Sequence, residues 1–470
     1  PTSIAMKTSV AAMALALVLS LCLSLSFASR DVEEVGWRRG EEGRERWDEG
    51  RSSSEGGRPY HFGEESFREW THSRHGQFKV LERFDHELLR GSVGDYRVAC
   101  LDAAPRAFLQ PSHYDADEVF YVKEGEGVLV VLRKGKRESF CVREGDVMVI
   151  PAGSIVYSAN THSSKWLRVV MLLNPVSTPG RFEEFFPVGG ENPESFFSAF
   201  SDEVLQAAFN TRREEVVRVF ERQSKGEISQ ASEEQIRELS RSCSRGGRGG
   251  GGGGSGSSSE EIKPTSLPSQ KPRYSNNHGR LHMITGNECR HLRDLDMEVG
   301  IANITRGSMI APKYSTRATK IAVVVEGSGY FEMACPHKSG SGRSSERRGE
   351  HGREEEGEEK KSRGYKQVRA QIKEGSVIVL PAGHPATFVA GNEGNLAVVC
   401  FGVGASNDEE VFLAGGNSLL KQLDTPAKTL LFGEQEREAA DRVIGAQTES
   451  AFLRGPQQQR RGGGGGVSDM

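Results

Sequence analysis

One group of residues in the C-terminal half combines a thiol with imidazoles at a spacing suited to metal binding. Cys335 and His337 lie two residues apart, so on a strand their side chains would point to the same face. His384 follows the turn sequence Pro-Ala-Gly at 381–383. A thiolate with two imidazoles suits copper or, less well, zinc. The alternative is that all three simply pack and hydrogen-bond inside the fold.

A second candidate for chemistry is the pair His113 and Glu118. Two side chains alone rarely hold a metal, so we interpret the pair as a hydrogen-bonded remnant, with a proton-transfer pair as the alternative. No Ser or Cys nucleophile stands at a spacing that would complete a catalytic triad with it.

Two features predict passage through the secretory pathway. Residues 6–28 contain a Lys, an apolar run and a small-x-small end, which is typical of a cleaved signal peptide; an uncleaved anchor is the alternative. After cleavage we expect no membrane association. Asn303 begins an Asn-Ile-Thr sequence, an acceptor for N-glycosylation.

The mixed charge of the chain argues against nucleic-acid binding. Its 65 acidic and 61 basic residues are interspersed and give a net charge of −4, whereas nucleic-acid-binding proteins concentrate positive charge. Six Cys remain once the signal is removed, without a disulfide-framework spacing. We expect most of them to be buried as small apolar residues.

Polar tracts divide the 470 residues into two blocks that must position these side chains. Tracts rich in Gly, Ser, Arg and Glu predict a disordered tail or propeptide, a linker, an exposed loop and a disordered C-terminal tail at 29–58, 244–262, 339–363 and 456–470. The remaining blocks are 59–243 and 263–455, each of ordinary domain size.

The two blocks repeat one another. The segment 144–153 (EGDVMVIPAG) matches 374–383 (EGSVIVLPAG), and 120–127 (FYVKEGEG) matches 323–329 (VVVEGSG). Each match is a β-branched run with a Gly turn, which predicts strand–turn–strand units. Helical patterns follow the strands in both blocks, including one that we expect to open at Asn192.

The spacing of Gly, Pro, His and Glu resembles that of the cupins, which implies two jelly-roll β-barrels with helical arms, an all-β bicupin. Gly145, Pro151 and Gly153 fit the second cupin motif, as do their counterparts in the second block. Most metal-ligand positions of the cupin enzymes carry other residues, namely Pro111 and Val156 in the first block, and Lys313, Ser315, Lys320 and Ala386 in the second. Because two Lys would repel a cation, the metal-dependent activity of ordinary cupin enzymes is not expected.

Several segments are similar to the vicilins, the trimeric storage globulins of seeds. They include 58–62 (RPYHF), 111–118 (PSHYDADE), 302–309 (ANITRGSM), 332–337 (EMACPH) and 197–210 (FSAFSDEVLQAAFN). The resemblance implies a non-catalytic seed reserve of nitrogen and amino acids, deposited in protein storage vacuoles. It also implies a homotrimer in which apolar arm positions are buried against a neighbour, here Leu205, Phe209, Val216, Val219 and Phe220.

The resemblance also bears on the metal, because some vicilins bind copper through a Cys, two His and a Tyr. The matching positions are Cys335, His337, His384 and Tyr60. Two other functions stay open at this point, namely a cupin-type metalloenzyme with a rearranged site and a binding protein for a small molecule such as a sugar, held in a barrel.

Overall fold

The computed structural model describes residues 59–245, 262–336 and 364–456. His337 falls outside these residues. So do, wholly or largely, the predicted segments at 6–28, 29–58, 244–262, 339–363 and 456–470.

Short strands dominate both halves of the described chain. Those of the first half are β1 His61–Phe62, β2 Phe67–Ser73, β3 Gly76–Leu81, β4 Arg97–Ala103, β5 Ala107–Tyr114, β6 Ala116–Glu124, β7 Glu126–Arg133, β8 Lys136–Arg143, β9 Asp146–Ile150, β10 Ile155–Asn160, β11 Leu167–Pro175, β12 Glu184–Phe185, β13 Ile228–Gln230 and β14 Ser244–Arg245. Those of the second half are β15 Thr265–Ser266, β16 Tyr274–Asn276, β17 Gly279–Ile284, β18 Met297–Ile304, β19 Ser308–Ile310, β20 Lys313–Ser315, β21 Thr319–Glu326, β22 Ser328–Cys335, β23 Lys366–Lys373, β24 Val377–Leu380, β25 Ala386–Ala390, β26 Leu396–Val403, β27 Glu410–Phe412 and β28 Phe452–Arg454.

Helices occupy the ends of each half and a few connections. They are α1 Glu87–Arg90, α2 Asp202–Phe209, α3 Arg213–Val216, α4 Glu233–Ser240, α5 Arg290–Asp294, α6 Thr425–Phe432 and α7 Arg437–Gly445, with 3₁₀ turns at Glu64–Ser66, Phe196–Ala199 and Leu419–Gln422 and a π-helical turn at Val217–Glu221.

Each half is built from two sheets that face one another. In the first half the strand orders are β12-β5-β10-β7-β8-β14, with β13 paired to β5, and β15-β9-β6-β11-β4-β3-β2. In the second half they are β1-β24-β21-β26-β18-β17-β16 and β23-β22-β25-β19-β28, with β20 between β25 and β27. Nearly all pairings are antiparallel, as in jelly-roll barrels, and the predicted all-β fold with helical arms is confirmed.

The register of the central strands reproduces the internal repeat. In the first barrel β6 pairs with β9 so that Glu118 lies opposite Ile150. In the second, β21 pairs with β24 so that Lys320 lies opposite Leu380. Both partners directly precede a Pro-Ala-Gly turn, so Glu118 and Lys320 occupy equivalent positions in the two barrels.

The Gly residues that end the first strand of each unit are required by space as well as by conformation. Gly125 and Gly327 have φ of 86° and 79°, a backbone region that residues other than Gly rarely adopt. A Cβ atom on Gly327 would lie 1.9 Å from the carbonyl oxygen of Asn395, and one on Gly125 would lie 2.2 Å from that of Trp166. The backbones therefore approach too closely for any side chain.

The two barrels exchange short strands. Strand β1, at the start of the described chain, pairs with β24 of the second barrel. Strand β15, which follows the linker, pairs with β9 of the first barrel. Each sheet is thus completed by a segment from the other half of the chain.

Alternation along β6 separates two cores. Phe120 and Val122 belong to the interior of the first barrel, whereas Val119 and Tyr121 join a larger core that contains the interior of the second barrel. Because side chains alternate along a strand, Glu118 faces the same interior as Phe120.

The helical arm of the first half begins later than predicted. No α-helix opens at Asn192; the chain there forms a cis Asn192–Pro193 bond and then a single 3₁₀ turn. The α-helix starts at Asp202, where the Ser201 side chain accepts a hydrogen bond from the backbone N–H of Val204. A serine cap of this kind satisfies a backbone donor that the helix itself cannot.

A disulfide bond joins Cys141 on β8 to Cys243 at the end of the first arm, 102 residues apart in the sequence. The spacing of the cysteines in the sequence did not predict this bond. Cys100, Cys289, Cys335 and Cys400 are free thiols, and of these Cys335 is fully buried.

Candidate functional site

Three of the four predicted copper ligands converge in the second barrel. Tyr60, just before β1, is 2% exposed, and its hydroxyl lies 3.4 Å from the sulfur of Cys335, the last residue of β22. The rings of Tyr60 and His384 are 6.4 Å apart between centroids. Pairing of β1 with β24 is what brings Tyr60 to residues more than 270 positions away in the sequence.

His384 was expected at the start of a strand. It lies instead in the turn before that strand, two residues before β25 begins. Its Nδ1–H donates to the carbonyl oxygen of Ala382 at 3.0 Å, since a carbonyl can only accept. The imidazole therefore presents Nε2 as its basic nitrogen, the arrangement that metal-binding His residues usually show. Its flanking residue Pro385 cannot donate to a ladder, which keeps this segment out of the strand.

The Tyr60 hydroxyl is held in its neutral form. Burial raises its pKa well above the ordinary value, and the hydrogen bond to Cys335 adds to the effect. Within the described ranges no group of three or more His, Cys, Asp or Glu is placed to hold a metal ion. The fourth predicted ligand, His337, lies outside those ranges.

The pair predicted in the first barrel does not form a hydrogen bond. His113 stacks on Phe185 with centroids 4.9 Å apart, and burial lowers its pKa. Glu118 is 7% exposed, and burial raises its pKa to about 7. The expectation of a hydrogen-bonded remnant is therefore wrong; aromatic packing competes for the imidazole.

Glu118 lines a cavity of about 100 Å³ inside the first barrel, together with acidic residues that sequence reasoning missed. Glu184 accepts a hydrogen bond from the Ser112 hydroxyl at 2.6 Å, and Glu227 accepts one from Thr71. Burial raises the pKa of Glu184 to about 8. Both arrive from β12 and from the segment before β13, so no spacing in the sequence relates them to Glu118.

The equivalent place in the second barrel is filled by a network of ion pairs. Lys320 contacts Glu298 and, at 3.1 Å, Asp408, while Lys313 contacts Glu410. Burial alone would lower the pKa of Lys320, but Glu298 and Asp408 hold it above its ordinary value. Two ammonium groups thus occupy positions where cupin enzymes carry metal ligands, and they pair with three carboxylates.

Asn303, the predicted glycosylation acceptor, is on β18 with an exposed side chain. Its neighbours Ala302 and Ile304 are buried, as expected for alternation along a strand. The acceptor side chain is therefore accessible in the single chain.

Comparison with known proteins identifies relatives along nearly the whole chain. The profile of the cupin family matches residues 88–217 and 265–438. Cupincin from Oryza sativa subsp. indica is 65% identical over 99% of this chain and 100% of its own length.

Two solved structures show the same architecture. The crystal structure of vicilin from Corylus avellana is 39% identical with a TM-score of 0.74, and the match covers 85% of this chain and 100% of that one. The vicilin from Solanum melongena, described as having different anionic ligands in structurally similar pockets, is 32% identical with a TM-score of 0.74, over 85% of this chain and 98% of that one.

Among the described residues, none of the helices is long and apolar enough to cross a membrane. The paired barrels, the repeated strand–turn–strand units and the identity to these relatives agree with one another. The chain belongs to the cupin family and, within it, to the vicilin-type bicupins.

Proposed function

We propose that this protein is a non-catalytic reserve of nitrogen and amino acids, deposited in protein storage vacuoles of the seed. The observation that carries the proposal is the replacement of cupin metal ligands by lysines that form buried ion pairs in the second barrel, in a chain that belongs to the vicilins. Most of its 61 basic residues are Arg, the side chain richest in nitrogen. The signal peptide predicted at 6–28 and the exposed Asn303 support passage through the secretory pathway.

The test of storage is abundance over time. Quantitative immunoblotting of developing and germinating seeds should show massive accumulation followed by loss of the intact chain. Fractionation should place the protein in storage vacuoles. Low, constant amounts in leaves and seeds would contradict a reserve function.

We further propose a homotrimer held by the helical arms. Of the arm positions named from the sequence, Leu205 and Val216 are already buried within the single chain. Their burial therefore does not require a neighbouring subunit, contrary to the expectation. Apolar side chains that remain exposed on the two arms include Phe200, Val204, Phe209 and Val219, and Leu419, Leu430, Leu431 and Val443. Such faces normally pack against a partner.

Light scattering should therefore give three times the subunit mass. The variant Leu430→Asp, which places a charge on a side chain 88% exposed in the single chain, should shift the protein toward monomers. Val176→Asp, at an apolar residue 59% exposed outside the arms, is the matched control and should remain trimeric. A monomeric parent protein would end the proposal.

A copper ion bound in the second barrel is a separate proposal. The residues present fit it, because a buried thiol, an imidazole with a basic Nε2 and a phenol converge there. Cys335 and His384 would hold the ion with His337, and Tyr60 would be a weaker or outer ligand. Zinc is the less favoured metal.

Copper stoichiometry, measured by elemental analysis after equilibrium dialysis, tests this site. Cys335→Ser and His384→Ala should each lose the ion, whereas Cys400→Ser, the same change at another thiol of this barrel, should retain it. Because copper displaces the thiol proton, affinity should fall as the pH falls. Unchanged stoichiometry in both ligand variants would leave these residues as packing only.

A carrier function remains the second candidate, and the cavity of the first barrel favours it. The Solanum melongena vicilin is described with anionic ligands, but the lining of this cavity includes three Glu and neither Lys nor Arg. We therefore do not propose an anionic ligand for this chain. Within the part of the chain that the structure describes, no comparable feature supports a metalloenzyme with a rearranged site.

A further inference from the structure

The cavity of the first barrel is enclosed mainly by apolar side chains. Each strand from β3 to β11 contributes to its walls, which include Phe78, Leu101, Phe120, Leu129, Val142 and Met171. At about 100 Å³ it is smaller than the roughly 150 Å³ cavity that accommodates benzene in a protein core. A ligand of about five non-hydrogen atoms is the size that fits.

One polar group of the lining lacks a hydrogen-bond partner. The Glu118 carboxyl, 7% exposed, makes no hydrogen bond or ion pair with any described residue. An unsatisfied buried polar group is costly, and more so if it is charged, so this carboxyl points to an occupant that carries hydrogen-bond donors.

The charge of the lining determines the sign of that occupant. Glu118, Glu184 and Glu227 all line the cavity, and no Lys or Arg is among the lining residues. Glu184 and Glu227 are partly satisfied by hydroxyl donors, whereas Glu118 is not. An anion would therefore be repelled, while a cation with N–H donors would compensate the carboxylate.

From this geometry we propose that the first barrel binds a short aliphatic primary amine as its ammonium ion, with the Glu118 carboxylate accepting its N–H groups and the apolar wall holding its alkyl chain. An alkylamine is complementary to both the carboxylate and the apolar wall. Burial of its alkyl chain against that wall contributes to affinity. Water alone would hydrogen-bond to Glu118, but most of the apolar wall would then remain in contact with water, which is unfavourable. The proposal does not depend on storage, because binding can be measured whatever the protein does in the seed.

The binding should depend on pH through several facing groups. Glu118, Glu184 and Glu227 share the cavity with His113 and Tyr114. Burial raises the pKa of Glu118 to about 7, so the carboxylate is fully formed only above neutrality. A primary amine stays protonated to about pH 10. Affinity should therefore fall by roughly 25-fold between pH 7.5 and pH 5.5, in proportion to the ionised fraction of Glu118.

The test uses n-butylamine, butyrate and 1-butanol, which share a four-carbon skeleton and differ in their polar group, with ligand-observed NMR titration of the full chain at pH 7.5 and low salt. Butylamine should bind at least ten times more tightly than either of the others. Glu118→Gln should weaken butylamine at least tenfold, while Glu393→Gln, the same change at an exposed site, should leave it unaltered.

Four results would overturn the proposal. Three of them are equal affinity for 1-butanol, preferential binding of butyrate, and butylamine binding that survives Glu118→Gln. Absence of any butylamine binding would do the same and would indicate a cavity that contains only water. Should Glu118→Gln fail to fold, the ligand series and the pH dependence of the parent protein decide the question.

Discussion

Replacing Glu118 by Gln should stabilise the protein at neutral pH and not in acid. The glutamine keeps the shape of the side chain and removes its ionisation. In the parent, the carboxyl is buried among apolar side chains with no cation beside it. Burial of an uncompensated charge is costly, so the folded protein holds the proton that the unfolded chain gives up.

The magnitude follows from the change in pKa. Burial raises the pKa of Glu118 from 4.5 to about 7, which corresponds to about 3 kcal/mol once the carboxyl is ionised in both states. Below pH 4.5 both states are protonated and there is no cost. Between pH 4.5 and 7 the unfolded chain releases the proton first, so stability falls as the pH rises. The variant lacks this loss.

The assay is urea unfolding at fixed protein concentration, from pH 4.5 to pH 7.5 and without added amine. The free energy of unfolding of Glu118→Gln, minus that of the parent, should grow by up to about 3 kcal/mol across this interval. Glu184 is present in both proteins, so its own titration largely cancels. Glu393→Gln should show no such growth. A flat difference for Glu118→Gln would mean that the carboxyl is hydrated or paired, and the description of the cavity would be wrong.

Three further changes test the fold by equilibrium unfolding. Gly327→Ala should cost several kcal/mol or prevent folding, because its Cβ would lie 1.9 Å from the Asn395 carbonyl oxygen at a φ of 79°; a loss below about 1 kcal/mol would contradict that geometry. Lys320→Met should cost about 3–5 kcal/mol by leaving its buried carboxylate partners uncompensated, and a neutral effect would mean that these carboxylates take up protons at little cost. Cys141→Ser should cost about 2–4 kcal/mol, since the bond to Cys243 closes a long loop; equal stability of the parent with and without reductant would refute this.

The barrels could be predicted because their signals are local and occur twice. Gly125 and Gly327 mark turns that only glycine can make, and Pro151 and Pro381 follow the strands they end. The same spacing located the equivalent positions Glu118 and Lys320, which the strand register confirms.

Contacts between distant segments could not be predicted in this way. Nothing near Glu184 or Glu227 in the sequence indicates that they reach the cavity of Glu118, and the bond between Cys141 and Cys243 joins residues 102 positions apart. The start of the arm was misplaced because Asn192-Pro193 has the composition of a helix cap, whereas Ser201 provides the actual one. Resemblance, rather than spacing, related Tyr60 to Cys335.

The exchange of β1 and β15 has a consequence for degradation. A protease that cuts between residues 246 and 261 produces two fragments. The N-terminal fragment still contributes β1 to the second barrel, and the C-terminal fragment still contributes β15 to the first barrel. The nicked molecule should therefore stay together under native conditions and separate only in denaturant. Cleavage would not by itself release either half, and digestion would have to wait until a barrel opens.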